Sequence, residues 1–535
     1  MNLILRHLTA ISALILALAA ISCDSTDEAT GNTLTFPDNY PWSYAHRDSR
    51  NSDFVPVVSP DDIKQSWTAL QGETFFMGPT VDPDGNVCVC SGGGPGTSHL
   101  HCFDKNGNLN WASKKMKDLN DLDYGVYVSA PVLGGDNDLY IADINQLWKF
   151  RAADGKIEWV VELDSLNIKG PGFSAFMISD SKVGYAFKDG NIAIFNREDG
   201  TLAYPVLQLP GVKGPPSSEY PEGMLKGLLY EPFIQFAWDA VWGLDMEISN
   251  TPCVSPSTGR IFVIATGKKS DETDLYGIDI KDGEMKIVFD TQIGSIGSGT
   301  SPTLSFDDRY VYVTDGKGRL NGVDAETGKV AWHSEETSIT GVSPSTSPDG
   351  RVYTSDFNLL KCWDGSNGDI IWKADLTEDI GKPYFPKDYK IPEGLKNPAA
   401  DIVSGVLVTK DRLWAVVQIV NKFSVPEENQ GAIKIPIEGL DKSVYKLPLA
   451  YYIVSYDLKG KLMSVTSHPD VGALTAIGND GRIYSTSMSV TSSIGYAVQN
   501  RDTFPEQWKY TPKPLGGLTV FTPKNQKAYN SKLSD

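Results

Sequence analysis

A short unit that ends in Asp, Gly and Trp recurs along this chain, and such repetition means that one supersecondary unit builds the whole fold. The clearest copies read LHCFDKNGNLNW (100–111), LWKFRAADGKIEW (147–159), LNGVDAETGKVAW (320–332) and LKCWDGSNGDIIW (360–372). With the degenerate copies included, the glycines of the unit are Gly107, Gly155, Gly200, Gly283, Gly328, Gly368 and Gly460. Their spacings are 48, 45, 83, 45, 40 and 92 residues. Most match the roughly forty residues of a four-stranded propeller blade, and the two long ones require insertions or a further blade.

Each unit also has a front half in which a short strand, a turn and a β-rich strand follow one another, as in SPTLSFDDRYVYVTD (301–315). Alternating residues of this kind fit half-buried strands. One more front half, GALTAIGNDGRIYSTS (472–487), lacks a Trp tail, for which Trp508 is available. The segment SWTALQG (66–72) is predicted to pair with the C-terminus and close the ring, because closure removes exposed sheet edges. The sequence therefore predicts an all-β propeller of four-stranded antiparallel blades, with eight blades favoured over seven.

The Trp at the end of the unit is a structural residue in this interpretation. In the clearest copies it is Trp111, Trp159, Trp332 and Trp372. A large apolar ring at a recurring position is predicted to fill the space between neighbouring blades.

Two stretches interrupt the repeat and are predicted to be insertions, near residues 205–249 and 376–450. The first contains the aromatic-rich YEPFIQFAWDAVWGLDM (230–246). Long loops on a rigid ring are where binding usually resides, and exposed aromatic side chains are costly without a partner. Trp238 and Trp242 are therefore candidate ligand-binding residues. The alternative is that both insertions only cover one face of the ring.

The first 22 residues have the features of a signal peptide, with Arg6 before an apolar run from Leu8 to Ile21. Small residues directly before Cys23 resemble a bacterial lipobox, which implies cleavage there and lipid attachment to Cys23. An ordinary cleaved signal stays open as the alternative. Residues 23–41 are polar and without periodicity, as in a flexible tether. The remaining residues 42–535 are predicted to form a single propeller.

Composition excludes some classes of function. The formal net charge is −19, which argues against nucleic acid as a partner and against a polybasic membrane contact. The sequence contains no nucleophile motif, no Gly-rich phosphate loop and no zinc-protease helix, so no catalytic residue is assigned.

The first hairpin contains the only cluster in the sequence with metal-ligand character: Cys88, Cys90, His99, His101 and Cys102. If the loop is Gly92 to Thr97, Cys90 lies opposite His99 and Cys88 opposite His101, an acceptable ligand set for a soft metal. A register slipped by one residue places Cys88 opposite Cys102, as a candidate disulfide. Plain packing is the third possibility.

The repeat D-x-x-[TD]-G-x-x-x-W resembles the pyrroloquinoline-quinone (PQQ)-type β-propeller repeat, and WSYAHRDSRNSDFVP (42–56) resembles the opening of that family. The resemblance covers residues 42–510. The family contains quinoprotein dehydrogenases and also cofactor-free lipoproteins, such as the scaffold subunit of the outer-membrane β-barrel assembly machinery. The enzymes carry a vicinal Cys–Cys pair beside the cofactor, whereas no two Cys are adjacent in this sequence. Their calcium ligands and catalytic Asp match no position here.

On this resemblance we expect a lipid-anchored, periplasm-facing propeller that acts as a non-catalytic scaffold without a cofactor. Its partner would be an envelope protein or peptide, bound by β-augmentation or by loop contact. Two alternatives stay open. One is a PQQ- and calcium-dependent dehydrogenase of an alcohol or sugar, and the other is a surface lipoprotein that binds a carbohydrate or another polymer. The choice between inner and outer membrane is undecided.

Overall fold

Eight antiparallel β-sheets form a ring, as the sequence predicts, and each is one blade of a β-propeller. The first strands of neighbouring blades lie against one another around the ring and form its inner edge. These features come from a computed structural model. It describes residues 40–92, 96–116, 129–135, 137–169, 172–214, 220, 234–235, 238–239, 246–295, 300–315, 318–337, 343–389, 398–424, 444–470, 472–487 and 513–534.

The strands are numbered in chain order. Two precede the first blade: β1 (Phe54–Val55) and β2 (Ile63–Ala69). Blade one comprises β3 (Thr80–Val81), β4 (Val87–Cys90), β5 (Leu100–Phe103) and β6 (Leu109–Ala112). Blade two comprises β7 (Val132–Leu133), β8 (Asp138–Ala142), β9 (Gln146–Arg151) and β10 (Ile157–Glu162). Blade three comprises β11 (Gly172–Ser179), β12 (Lys182–Phe187), β13 (Asn191–Asn196) and β14 (Leu207–Gln208). Blade four comprises β15 (Cys253–Val254), β16 (Ile261–Thr266), β17 (Thr273–Lys281) and β18 (Glu284–Gly294).

The second half of the ring follows the same order. Blade five comprises β19 (Thr303–Leu304), β20 (Tyr310–Thr314), β21 (Arg319–Asp324) and β22 (Val330–Thr337). Blade six comprises β23 (Ser345–Thr346), β24 (Arg351–Asp356), β25 (Leu359–Asp364) and β26 (Ile370–Asp375). Blade seven comprises β28 (Leu407–Thr409), β29 (Arg412–Ser424), β30 (Val444–Asp457) and β31 (Leu462–His468), with β27 (Pro398–Ile402) beside β29. Blade eight comprises β32 (Gly472–Ile477), β33 (Ile483–Ser487) and β34 (Leu518–Pro523), completed by β2.

Helical structure is sparse in the described residues. A 3₁₀ helix spans Leu163–Leu166, a π-helical turn spans Thr377–Gly381, and α1 spans Gln526–Ser534 at the C-terminus. Within the described parts of the chain, no helix is both long and apolar enough to cross a membrane.

The ring closes through the two ends of the chain. Strand β2 pairs antiparallel with β34 and supplies the outer strand of blade eight, as predicted for this segment. The Trp tail of the eighth unit is therefore Trp67, within β2. The prediction of Trp508 overlooked that β2 supplies the missing fourth strand, and Trp508 lies outside the described residues.

The predicted insertion at 376–450 is narrower than the sequence indicates. Strands β28 and β29 fall within it, and they are the first two strands of blade seven. Their pattern differs from that of the other front halves, because β29 extends over 13 residues and pairs with both β27 and β30. The region near 205–249 begins with β14 and leads to blade four.

A bulge precedes the aromatic position in the outer strand of seven blades. The extra residue lies one position before this slot, and it is Ser66, Asn110, Glu158, Val288, Ala331, Ile371 and Met463 in turn. A bulge bends a strand and redirects its next side chain. It thereby directs the aromatic ring toward the following blade.

The redirected rings pack on glycines of the next blade, which confirms the predicted role of the recurrent Trp residues. The pairs are Trp67 on Gly107, Trp111 on Gly155, Trp159 on Gly200, Phe289 on Gly328, Trp332 on Gly368 and Trp372 on Gly460. These glycines have φ between 70° and 89°, and a Cβ at any of them would collide with the ring. Glycine is thus required for two reasons: the turn has a left-handed backbone, and the aromatic ring occupies the place of a Cβ.

Four of the indoles are also held by a hydrogen bond. Their N–H groups donate to backbone carbonyls of the next blade: Trp67 to Lys105 at 3.2 Å, Trp111 to Ala152 at 2.7 Å, Trp159 to Arg197 at 3.1 Å and Trp372 to Leu458 at 3.0 Å. Burying a ring of this size contributes about 2 to 3 kcal/mol. The blades are therefore joined by a repeated apolar contact with a polar anchor.

Two junctions depart from this rule. A Cβ added at Gly283 in blade four would meet no atom within 4 Å, because the short β14 presents no ring there. In blade seven the slot holds Ser464, whose hydroxyl pairs with that of Ser455 at 2.7 Å. The next blade joins its last two strands from opposite ends of the chain, so it has no glycine turn to receive a ring.

We predict that Gly460→Ala is more destabilising than Gly283→Ala. Both residues have positive φ, so each Ala is strained by about 1 kcal/mol. Only at Gly460 does the new Cβ also meet a ring, 2.7 Å from Trp372, which adds about 2 kcal/mol. Urea unfolding followed by Trp fluorescence measures both variants against the parent. Equal losses would show that the indole contact does not limit this position.

Candidate functional site

A polar segment of the chain runs along the inner edge of the ring. We call residues 42–57 the axial segment. Trp42 forms an antiparallel bridge with Val81 of blade one, and the Tyr44 hydroxyl accepts a hydrogen bond from the Met177 amide of blade three at 3.1 Å. The segment ends in β1, which pairs in parallel with β28 of blade seven.

Carbonyl groups of the axial segment accept hydrogen bonds from one blade after another. The donors are the amides of Leu133 to Ser43 (3.0 Å), Val254 to Ser49 (2.6 Å), Leu304 to Arg50 (2.9 Å), Thr346 to Ser52 (3.0 Å) and Val408 to Asp53 (2.8 Å). These donors belong to the inner strands of blades two, four, five, six and seven. Together with the contacts of Trp42 and Tyr44, the segment engages seven of the eight inner strands.

The segment is held in an uncommon backbone conformation. Arg47, Asn51 and Asp53 have φ of 73°, 56° and 53°, in the left-handed region that costs a non-glycine residue about 1 kcal/mol or more. Asn51 is fully buried and donates through Nδ2 to the carbonyls of Thr251 and Pro302, both at 2.9 Å. Two blades thus hold this turn through a single amide group.

Titratable side chains of the axial segment lie in pairs within the ring. His46 Nδ1 lies 3.2 Å from Asp53, Arg47 lies 2.7 Å from Asp48, and Arg50 pairs with Asp308 of blade five. The Asp48 carboxylate also accepts hydrogen bonds from the backbone amides of Arg50 and Ser52 at 3.1 Å. Pairing of this kind offsets the cost of removing charge from water.

Asp53 is the most buried carboxyl group of this cluster. Burial raises its pKa above the ordinary value, and the neighbouring His46 and the Ser345 hydroxyl lower it in part. The Ser345 hydroxyl lies 3.2 Å from the Asp53 carboxylate and donates to the Val406 carbonyl at 2.6 Å. Asp53 therefore links the axial segment to blades six and seven.

The cysteine and histidine residues of the first hairpin take the slipped register. Cys88 pairs with Cys102 across β4 and β5, with 4.2 Å between their Cα atoms, and the two form a disulfide. Cys90 lies opposite Leu100, and Val89 lies opposite His101. The four-ligand patch of Cys88, Cys90, His99 and His101 required the other register, and the Cys88 sulfur is here bonded to Cys102.

The two histidines of this hairpin are buried, and so is Cys90. Burial, with a smaller effect of His99, lowers the pKa of His101 to about 4. Over the described parts of the chain, no three His, Cys, Asp or Glu side chains are placed to hold a metal ion.

Of the remaining predicted site residues, the structure describes only Trp238. Trp238 is wholly buried, so its indole presents no exposed face to a bound polymer. It was expected at the surface because the surrounding aromatic residues gave no periodicity from which burial could be read. Trp242 and Cys23 lie outside the described residues.

The sequence also carries a signal for the axial segment. HRDSRNSD (46–53) is rich in Asn, Asp and Ser, which tolerate left-handed turns and bond to nearby backbone. The segment also lies within the stretch 42–56 that resembles the family opening. Its contacts with seven blades depend on long-range packing that no local pattern encodes.

Comparison with known proteins supports the fold and the repeat. The sequence profile of the family described as outer membrane protein assembly factor BamB matches residues 238–348. Tetrathionate hydrolase from Acidithiobacillus ferrooxidans is 25% identical over 114 residues, which is 21% of this chain and only 22% of that protein.

Two solved structures share the architecture. A europium-containing methanol dehydrogenase superposes with a TM-score of 0.54 at 12% identity, covering 90% of this chain and 98% of its own. The quinohemoprotein alcohol dehydrogenase from Comamonas testosteroni gives 0.53 at 13% identity, covering 95% and 83%. At such identities the likeness concerns the fold alone. The fold and repeat are of the PQQ type, as the sequence resemblance implied.

We predict that Asn51→Gly lowers the free energy of unfolding by about 2 kcal/mol, because two buried carbonyls lose their donor while glycine keeps the left-handed backbone. The control is Asn167→Gly, at an exposed residue with φ of 58°, where we expect little change. Urea midpoints of the two variants check this. Equal midpoints would show that the Asn51 amide does not hold the segment.

A second prediction concerns pH. The pKa of Asp53 is raised in the folded state, so Asp53 contributes stability at acidic pH that is lost as pH rises through its raised pKa. Asp53→Asn, which also tolerates positive φ, should therefore gain stability relative to the parent as pH rises from about 4 toward neutrality. Urea midpoints across this range measure the difference, with His46→Gln as the control for the paired imidazole. Parallel curves for parent and Asp53→Asn would contradict the prediction.

Proposed function

We propose that this protein is a lipid-anchored, non-catalytic scaffold of the bacterial cell envelope that binds another envelope protein. The axial segment carries the proposal. A propeller surrounds a central channel, and here the inner strands of seven blades engage the chain's own residues 42–57. Because these residues occupy the inner edge, a partner would bind on the outside of the ring.

The chemistry of the axial segment supports the same conclusion. Its ion pairs are formed among its own residues or with the blades, as in Arg47 with Asp48 and Arg50 with Asp308. A left-handed backbone held by buried hydrogen bonds is fixed in place. The sequence also lacks the vicinal Cys pair that accompanies the cofactor in the quinoprotein enzymes, since no two of its Cys are adjacent.

The outer strands provide a surface for an extended partner. Leu109, Val288 and Ile371 lie on the outer strands of blades one, four and six, and between 45% and 54% of each side chain is exposed. Aliphatic side chains on edge strands favour pairing with another extended chain. Strand β18 is the longest outer strand of these three blades, and its residues from Phe289 to Gln292 pair without interruption between two bulges. The family profile that matches 238–348 covers this blade.

The proposed anchor is the lipid on Cys23, with residues 23–41 as the tether and the ring facing the periplasm. A tether of this length lets the ring reach a partner embedded in the same membrane. Fractionation of inner and outer membranes decides which of the two carries the anchor.

We predict that purified residues 24–535 show no saturable response to PQQ and calcium. Trp fluorescence and melting temperature are followed during the titration, since a ligand of the folded state raises the melting temperature by mass action. A saturable rise, accompanied by dye reduction with an alcohol or sugar, would replace the scaffold with a quinone-dependent dehydrogenase.

The binding surface is tested by a photo-crosslinking residue at Val288, on the edge of β18. The matched control is Val212, which is similarly exposed but lies outside the strands. We expect a crosslinked envelope protein from Val288 in intact cells and none from Val212. Retention of the ring on a polysaccharide column without any Val288 crosslink would favour the polymer-binding alternative instead.

A further inference from the structure

Blade one differs from the other seven at one position of its second strand. In blades two to eight this position holds Tyr140, Tyr185, Phe262, Tyr312, Tyr353, Trp414 and Tyr484. The residues opposite on the third strand are Lys149, Ala193, Gly277, Gly322, Cys362, Ser455 and Val520. In blade one the pair is Cys88 and Cys102. Blade one thus has a disulfide where the other blades have an aromatic ring, which in most of them lies opposite a small residue.

The aromatic ring bridges the junction between blades where it is present. The Tyr312 hydroxyl donates to the Gly365 carbonyl of blade six at 3.2 Å, and the Tyr484 hydroxyl donates to the Gly85 carbonyl of blade one at 3.0 Å. The Cys88 side chain is too short to contact a carbonyl of the next blade in this way. A cavity of about 350 Å³ lies between blades one and two, and both half-cystines are among its walls.

The walls of this cavity are acidic and amide-rich. Asp82, Asp84, Asn86, Asn110 and Asn137 line it, and none of its described lining residues is Lys, Arg or His. The Asp82 carboxylate accepts hydrogen bonds from Asn86 within its own turn, whereas Asp84 is exposed at the mouth. The cavity between blades five and six, of about 320 Å³, also has Asp residues in its wall, but Arg309 and the Tyr312 ring lie among them. Blade one therefore offers an electronegative cavity with a disulfide in its wall.

We propose that the Cys88–Cys102 disulfide is a thiol-exchange site for small thiols that carry a positive or neutral group. The thiolate of the entering molecule attacks one sulfur of the disulfide. A new sulfur–sulfur bond forms to that cysteine, and the other cysteine leaves as a thiolate, which takes a proton from water. The entering thiol is the reductant, and one mixed disulfide and one free thiol result.

Size and charge set the selectivity. Only 4% of Cys88 and 1% of Cys102 is exposed. Both residues line the cavity, which is therefore the proposed route of the entering thiol to the sulfurs. A protein-sized reductase does not fit a space of this volume. Asp84 at the mouth attracts an ammonium group and repels a sulfonate, and one charge at this range changes a rate about tenfold.

The test treats folded residues 24–535 with cysteamine or with 2-mercaptoethanesulfonate at equal thiolate concentration. Intact-mass spectrometry follows adduct formation, and peptide mapping locates it. We expect adducts on Cys88 or Cys102, formed about tenfold faster with cysteamine, and no reduction by thioredoxin on the same timescale. Equal rates with both thiols, the absence of any adduct on Cys88 and Cys102, or reduction by thioredoxin would each overturn the proposal.

Two variants distinguish exchange that depends on the cavity from exchange that results from unfolding of the protein. Asp84→Asn removes the charge at the mouth and should reduce the cysteamine preference to about twofold or less. A double variant, Cys88→Tyr with Cys102→Gly, recreates the Tyr312–Gly322 pair of blade five and should abolish the adducts. A preference unchanged in Asp84→Asn refutes the role of the cavity charge, and this variant decides the matter even where the double variant does not fold.

Discussion

The contact between an aromatic ring and a glycine turn joins the blades of this ring. The strands of each blade hydrogen-bond to one another, but the two apolar faces of a four-stranded sheet are buried only by packing against the neighbouring blades. The bulge before the outer-strand Trp directs the indole onto the next blade, and the glycine leaves room for it, as between Trp111 and Gly155. Six junctions share this contact. The other two fall where the repeat itself changes, at the short β14 and at the join between the chain ends.

The axial segment is a second and different kind of connection. The Trp contacts link neighbours only, whereas residues 42–57 touch seven blades with hydrogen bonds and ion pairs. Its buried Asn51 amide and Asp53 carboxylate are polar groups whose partners come from different blades. Polar groups in such surroundings favour one arrangement, because any shift leaves a donor or acceptor unpaired. The outer strands carry no such set of buried polar contacts with the axial segment, and we propose that a partner binds there.

The repeat made the architecture predictable, because glycine, Asp and Trp at fixed offsets each have a local physical role. The blade number and the closing strand followed from counting units and from the cost of an open edge. Three features did not follow. Trp67 was missed because its blade is assembled from both chain ends. The buried position of Trp238 has no sequence signature, since an aromatic cluster in a loop fits a surface or an interior equally well. The Cys88–Cys102 register depended on loop geometry, and one residue decided between two pairings.

The order of contacts along the axial segment has a consequence for how the ring is assembled. Trp42 meets blade one, Ser43 blade two and Tyr44 blade three, while Ser49, Arg50, Ser52 and Asp53 meet blades four to seven. In chain order these residues come first, and the blades that they contact follow in the same order. The segment can therefore act as a template on which each new blade finds its place beside the last. Blade eight, which needs both β2 and β34, is completed last, because β34 follows every other blade in the chain.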